Sequence, residues 1–489
     1  MTGACFVRQL THQFINNQWI ESRGQRRLAV MDPYRQQQLA ELTAGHPADV
    51  DAAVTAARQA LPEWQALGGA RRAAWLDAFA DTLAERREEL MTLSATNNGK
   101  ALAETAIDLD DAIACYRYYA EQARALEQRQ GRLVEHSMDG IEARCYEDPA
   151  GVVGLITPWN FPLVTSAWKI APALAAGCTI VFKPSEVTPL PENAVAEIAE
   201  AIQLPAGVLN LVHGDGEGIG APLSAHPGVD KLSFTGSNAV GERVMHAAAD
   251  GVRGVSLELG GKSPILVLDD ADVEQAADWV MAGIYFNSGQ ICSATSRLIV
   301  DQSLAEALYN ALAQRIDALH LGDPLAEDTD MGPMTSARQR QSVERYLQIA
   351  RQEGLSAVRD ASHRQLPEQG EFVAPTLFRD VPTDSSLWRE EIFGPVLCAR
   401  SVGSEQDAIQ LANDSDFGLA ATVISGDPER ARRVARQLRA GSIWYNSEQV
   451  VMPEASWGGF GISGIGRELG PWGLSGYLEV KHIIGPAAT

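Results

Sequence analysis

Four short apolar runs in the second and third hundreds of this chain restrict its architecture more than any other feature. They occupy residues 152–156, 179–182, 208–212 and 232–234, and stretches with helical patterning separate them at 163–176, 191–203 and 238–249. Strand–helix alternation at this spacing predicts βαβ units and a parallel sheet, hence an α/β fold. A second series of the same kind starts near 264–268 and runs to about residue 445. Residues 48–125 read as largely helical, since Trp75, Leu76, Phe79, Ala80 and Leu83 recur at helical spacing. The charges at Arg86, Arg87, Glu88 and Glu89 that follow read as a solvated face. Asp139-Gly140 between strand-like runs at 132–137 and 141–146 predicts a hairpin, and residues 477–484 read as a terminal strand.

With 489 residues the chain has room for roughly two to four domains. Its net charge of −23, from 63 acidic and 40 basic residues, argues against a nucleic-acid binder, which needs a basic face. The same charge suits a cationic substrate, or simply solubility. Six cysteines (5, 115, 145, 178, 292 and 398) include no CxxC pair, so a zinc site is not expected, nor any catalytic metal. Sparse cysteines in a large chain suggest a reducing compartment. The N-terminus shows no signal-peptide core, and 170–182, the longest uncharged apolar stretch, is shorter than the roughly 20 residues of a membrane span. A soluble cytoplasmic protein is the expectation.

The chemistry centres on Cys292, within Asn287-Ser-Gly-Gln-Ile-Cys-Ser-Ala294, a small polar loop after a helical stretch. Upstream lies Glu258-Leu-Gly-Gly-Lys-Ser-Pro264. A sulfur and a carboxylate, each set among glycines, suggest covalent catalysis with a separate base. Sulfur attacks a carbonyl as thiolate, and a loop near a helix end is a place where the thiol pKa can fall. Taken alone, a lone cysteine is more often buried and inert.

Phe234-Thr-Gly-Ser-Asn-Ala-Val-Gly241 follows a strand and opens a helix, with Gly236 and Ser237 at the turn. Such a turn can receive a phosphate, although an ordinary helix start looks the same. The spacing is neither Gly-x-Gly-x-x-Gly nor a P-loop. Lys183-Pro-Ser-Glu186 follows the strand ending at Phe182, on the sheet edge where nucleotides bind in such folds. Lys183 and Glu186 can hydrogen-bond ribose hydroxyls there, or form a solvated turn.

Taken together with Thr157-Pro-Trp-Asn-Phe-Pro162, Glu391-Ile-Phe-Gly-Pro395 and Gly466-Arg-Glu-Leu-Gly470, these segments resemble the NAD(P)-dependent aldehyde dehydrogenase superfamily over nearly the whole chain. Around Gly289-Gln-Ile-Cys-Ser-Ala-Thr-Ser-Arg-Leu298, Trp457-Gly-Gly and Gly470-Pro-Trp-Gly the chain looks most like plant-type betaine aldehyde and ω-aminoaldehyde dehydrogenases.

The resemblance implies a Rossmann-like NAD-binding domain (1–128 and 149–257), an α/β catalytic domain (258–455) and a small β oligomerisation arm (129–148 and 470–489). It makes Cys292 the nucleophile and gives the thiohemiacetal oxyanion to the Asn160 amide and the Cys292 N–H. One such donor is worth roughly 3–4 kcal/mol in a transition state. After hydride transfer, Glu258 activates the water that hydrolyses the thioester, and Lys169 with Glu468 relays protons. Trp159, Gly236, Ser237, Glu391 and Phe393 join Lys183 and Glu186 at the cofactor. An acidic Glu186 near the 2′-hydroxyl favours NAD over NADP.

The implied aromatic box for a substrate cation is Phe161, Trp168, Phe286 and Trp457. Phe stands at the first and third positions, where the plant pattern has Tyr and Trp. Glu448 and Glu454 can add attraction at the tunnel mouth. The expected substrate is an ω-aminoaldehyde or betaine aldehyde; the alternatives are neutral aliphatic or semialdehyde substrates, a non-redox cysteine thioesterase, or a non-catalytic structural protein. Glu258 disfavours a CoA-dependent variant, because it points to water as the acyl acceptor. An exposed hairpin edge needs a partner strand, so a homodimer or homotetramer is expected, with no nucleic-acid or membrane partner.

Overall fold

A computed structural model describes residues 7–487. Cys5 and the outer ends of two expected domain ranges, 1–6 and 488–489, lie outside them. The four runs of the first βαβ series form strands as expected, and Gly254–Glu258 adds a fifth that the apolar runs did not mark. The strands Val152–Ile156, Thr179–Lys183, Leu209–Leu211, Lys231–Thr235 and Gly254–Glu258 form the parallel centre of an eight-stranded sheet. In space the order runs from the fifth of these strands through the fourth, first and second to the third. It therefore reverses between Val152–Ile156 and Lys231–Thr235. Such a switch point opens a crevice at the strands' carboxyl ends, where α/β sheets bind ligands.

Two antiparallel strands, His12–Ile15 and Gln18–Glu21, extend one edge, and Gly464–Ile465 extends the other beside Leu257 and Glu258. The apolar runs did not reveal the short N-terminal strands, because each has only three to seven residues and alternates weakly. The second series builds a seven-stranded sheet, parallel except for the edge strand Ser356–Arg359. No helix among the described residues is long and apolar enough to cross a membrane.

Helices cover the first sheet. Pro162–Ala176 is buried on every side, as an apolar helix at the centre of a core must be. It packs against Leu102–Arg129, whose buried stripe includes Leu109, Ala112, Cys115, Tyr116 and Tyr119. That stripe also carries Glu104 and Asp108, which matters below.

The hairpin at Asp139-Gly140 forms in a different register from that of a two-residue turn. A tight turn there would align Leu133 with Tyr146, but Leu133 pairs with Arg144 and the first strand is only Arg132–Leu133. Ile141–Pro149 is the central strand of this small sheet: its other edge pairs antiparallel along its whole length with Leu478–Pro486. The turn does not set the register. A shift of two residues keeps every side chain on its face, because the strand period is two.

Candidate active site

The two glycine-bearing segments meet at the carboxyl edge of the first sheet. Gly254–Glu258 delivers Glu258 at its last residue, and the following Gly261 touches the Cys292 backbone: a Cβ there would lie 2.4 Å from the Cys292 carbonyl oxygen. Gly289 (φ 72°) approaches Gly394 so closely that a Cβ would sit 2.2 Å from its carbonyl oxygen. Only glycine permits either contact. The result is a cavity of about 790 Å³ that includes Asn160, Glu258 and Cys292 in its wall.

Cys292 is half-buried. Burial pushes its thiol up to about 12, and the carboxyls of Glu391 and Glu258 add to the shift. The expectation of a lowered pKa is therefore corrected. The neighbouring helix, Val273–Tyr285, presents its C-terminal end to the loop, and that end disfavours an anion. Glu258 is buried, and neither of its carboxylate oxygens has a hydrogen-bond partner among the described residues. Burial, reinforced by Glu468, raises its pKa well above the usual range, against Lys169 and Arg467. Asn160 Nδ2 donates to the Gln290 carbonyl at 2.9 Å, leaving its second hydrogen available.

Lys169 and Glu468 lie behind this wall rather than in it. They form a buried ion pair joined through Ser233, whose hydroxyl is 3.1 Å from Lys169 Nζ and 3.3 Å from Glu468 Oε1. Glu468 also exchanges both backbone hydrogen bonds with Trp457, at 2.6 and 2.8 Å. A wall aromatic is thereby tied to the buried pair.

Six of the seven residues assigned to the cofactor line the cavity: Trp159, Glu186, Gly236, Ser237, Glu391 and Phe393. Lys183 does not. It is buried, with Nζ 3.1 Å from Glu186 Oε2. Glu391 accepts the Gly261 N–H at 3.0 Å, and burial pushes its carboxyl up to about 7. Trp159 meets Phe393 edge-on, with ring centroids 5.2 Å apart.

All four aromatics assigned to the substrate line the cavity. Trp168 and Trp457 pack at 5.6 Å and 56°, while Phe161 and Phe286 lie nearly parallel at 6.3 Å. Glu448 also lines the cavity, whereas Glu454 does not.

The sequence reading missed three charged residues here. Asp108 and Asp111, one turn apart on Leu102–Arg129, both face the cavity. Burial and the adjacent Asp108 push Asp111 up to about 7. Lys100 is buried, with Nζ 2.5 Å from Asp108 Oδ2 and 3.5 Å from the Phe161 ring centroid. A signal was present: acids recur where the helix's apolar stripe should continue.

A sequence model of the aldehyde dehydrogenase family matches residues 19–483. The chain is 42% identical to a chloroplastic betaine aldehyde dehydrogenase of Beta vulgaris, covering 96% of this chain and 95% of the other. It is 44% identical to a peroxisomal aminoaldehyde dehydrogenase 2 of Pisum sativum, covering 96% and 94%. Among solved structures, a betaine aldehyde dehydrogenase of Staphylococcus aureus in complex with NAD+ superposes with a TM-score of 0.93 at 39% identity, covering 97% and 94%. With a family match over nearly its whole length and relatives this similar, the chain belongs to the aldehyde dehydrogenase family.

Proposed function

We propose that this protein oxidises an aldehyde with a cationic far end, an ω-aminoaldehyde or betaine aldehyde, to its carboxylic acid with NAD. The observation that carries this reading is a single cavity whose wall includes Cys292 together with Asp111, Trp168 and Trp457. An indole face attracts a cation by about 0.5–2 kcal/mol. A carboxylate without a full set of partners adds directional attraction, and Asp111 Oδ1 has none among the described residues. The names of the plant relatives point to the same substrates.

The residues fit the cofactor. Glu391 offers a buried carboxyl beside the nucleophile, Glu186 an acid at the carboxyl edge of Thr179–Lys183, and Gly236 and Ser237 a turn at a helix start. Bound NAD supplies the hydride acceptor. Cys292 Sγ gives its proton to solvent and adds to the carbonyl carbon, and the oxyanion receives hydrogen bonds from Asn160 Nδ2 and the Cys292 N–H. The oxidised product is a thioester on Cys292. Glu258 takes a proton from water, which adds to the thioester carbon and releases the acid. Burial raises its pKa, which makes the ionised carboxylate a stronger base toward water. Lys169 and Glu468 provide an exit route for the proton.

In this reading residues 1–128 and 149–257 bind the cofactor, and 258–455 carry the nucleophile. Segments 129–148 and 470–489 form an arm that pairs subunits into a homodimer or homotetramer. The exposed Val480, Ile483 and Ile484 on the Leu478–Pro486 edge strand support the pairing, because such an edge invites another strand. A cytoplasmic setting belongs to the same proposal.

NADH formation with NAD and three aldehydes of matched length tests the substrate: betaine aldehyde, an ω-aminoaldehyde and a neutral one. The expected result is a higher kcat/KM for a cationic substrate. The second reading, a neutral aliphatic aldehyde or semialdehyde, draws on Lys100, whose ammonium lies over Phe161 and pairs with Asp108. A faster neutral substrate would select it.

Trp457→Ala and Asp111→Asn separate the two readings further. Each is expected to raise KM for the cationic aldehyde about 5- to 20-fold, on the scale of one cation–π or charged contact. KM for the neutral aldehyde should move far less. Equal losses for both substrates would reject the cation site.

A further inference from the structure

The loop that carries Cys292 starts with three consecutive residues in the left-handed region: Asn287 (φ 48°), Ser288 (φ 54°) and Gly289 (φ 72°). Two of them are not glycine, and such conformations persist only where the surroundings over-determine them. Ser288 is held by its hydroxyl, which donates to the Gly332 carbonyl at 2.7 Å. Asn287 is held through its backbone by a residue 183 positions earlier. Its N–H donates to Glu104 Oε1 at 2.7 Å, and Glu104 Oε2 accepts the Ala101 N–H at 3.1 Å. Glu104 is buried, and the chemistry described above makes no use of it.

Asn287 in turn organises the reacting groups. Its side-chain Nδ2 reaches the carbonyl oxygens of Asn160 at 3.1 Å and Gln290 at 3.2 Å. The Gln290 carbonyl also receives the Asn160 amide. Gln290 is pinned from the other side by the Thr335 N–H at 2.9 Å. One carboxylate, fixed at the start of Leu102–Arg129, thus stands at the head of a chain of contacts that ends at Asn160 and at Gln290, two residues before Cys292.

We infer that Glu104 is a positioning residue for the nucleophile: its carboxylate holds Asn287 in the left-handed conformation, and Asn287 aligns Asn160 with the turn that carries Cys292. This rests on the assignment of Cys292 as nucleophile and Asn160 as oxyanion donor. Without the acceptor, Asn287 loses the partner of its buried N–H and its backbone is free to relax. Sulfur and oxyanion donor then shift together, which lowers kcat, since small misplacements of reacting groups carry large rate effects. The cofactor residues at 183–186 and 236–237 stand on other strands and keep their places.

The test compares Glu104→Ala and Glu104→Gln with wild type and Cys292→Ala in the full chain, reading kcat, aldehyde KM, NAD affinity by fluorescence quenching, and Tm. Glu104→Ala is expected to lower kcat about 10- to 100-fold with NAD affinity little changed. Glu104→Gln keeps an oxygen for the Asn287 N–H and should restore most of the rate. If Glu104→Ala does not fold, Glu104→Asp, whose carboxylate is one methylene short, carries the same comparison. An unchanged kcat in the Ala or Asp variant overturns the inference, as does a parallel loss of kcat, NAD affinity and Tm. Substantial turnover by Cys292→Ala would instead remove the assignment beneath it. An inert Cys292→Ala beside a fully active Glu104→Ala removes this inference alone.

Discussion

Replacing Cys292 by alanine is expected to lower NADH formation with every aldehyde by about 10⁴-fold or more, because the reaction loses its covalent intermediate rather than one contact. NAD binding should survive, since the other residues assigned to the cofactor stay in place. The unsubstituted thiol offers a sharper check. Burial, Glu391 and Glu258 push it up to about 12, so few molecules carry a thiolate at neutral pH. Alkylation of Cys292 by iodoacetamide in the cofactor-free protein, followed by peptide mass, should keep accelerating up to at least pH 10. A rate that levels off near pH 7 would show an activated thiolate and contradict the electrostatics of this site. Substantial aldehyde oxidation by the alanine variant would remove Cys292 from the mechanism.

Glu258→Gln is the second large effect. The amide is nearly the same size but cannot take a proton from water, so thioester hydrolysis should slow about 10²- to 10⁴-fold. The first turnover does not require that step. A rapid burst of NADH stoichiometric with enzyme should therefore precede a slow steady state. Loss of the burst would mean that Glu258 also deprotonates Cys292. The pH dependence has a definite sign. Burial raises the Glu258 pKa, so the protonated, inactive form dominates at low pH and hydrolysis climbs as pH rises through that raised value. The steady-state rate of Glu258→Gln should lack this acid limb.

Much of the fold was legible in the chain. Buried parallel strands are short continuous apolar runs, and the residues expected at 152–156 and 179–182 fall in strands Val152–Ile156 and Thr179–Lys183. The motifs carrying Glu258 and Cys292 were likewise visible, because close backbone approach demands glycine at particular places, as at Gly261 and Gly289. The hairpin register was not legible, nor was the nine-residue pairing of Ile141–Pro149 with a strand over 300 positions away, because long-range partners leave no local signal.

The site's electrostatics belong to the tertiary structure. A sequence shows that Cys292 follows a helix, but not that the carboxyls of Glu391 and Glu258 lie close to the sulfur. It shows Phe161, but not that Lys100 from another segment lies over its ring. Asp108 and Asp111 look like surface acids until Pro162–Ala176 packs beside their helix and the cavity opens between them and Cys292. The physical reason is the same throughout. Secondary structure and glycine contacts follow from local sterics that short segments carry with them. A pKa or a binding wall is set by charge, burial and orientation summed over residues that only the fold brings together.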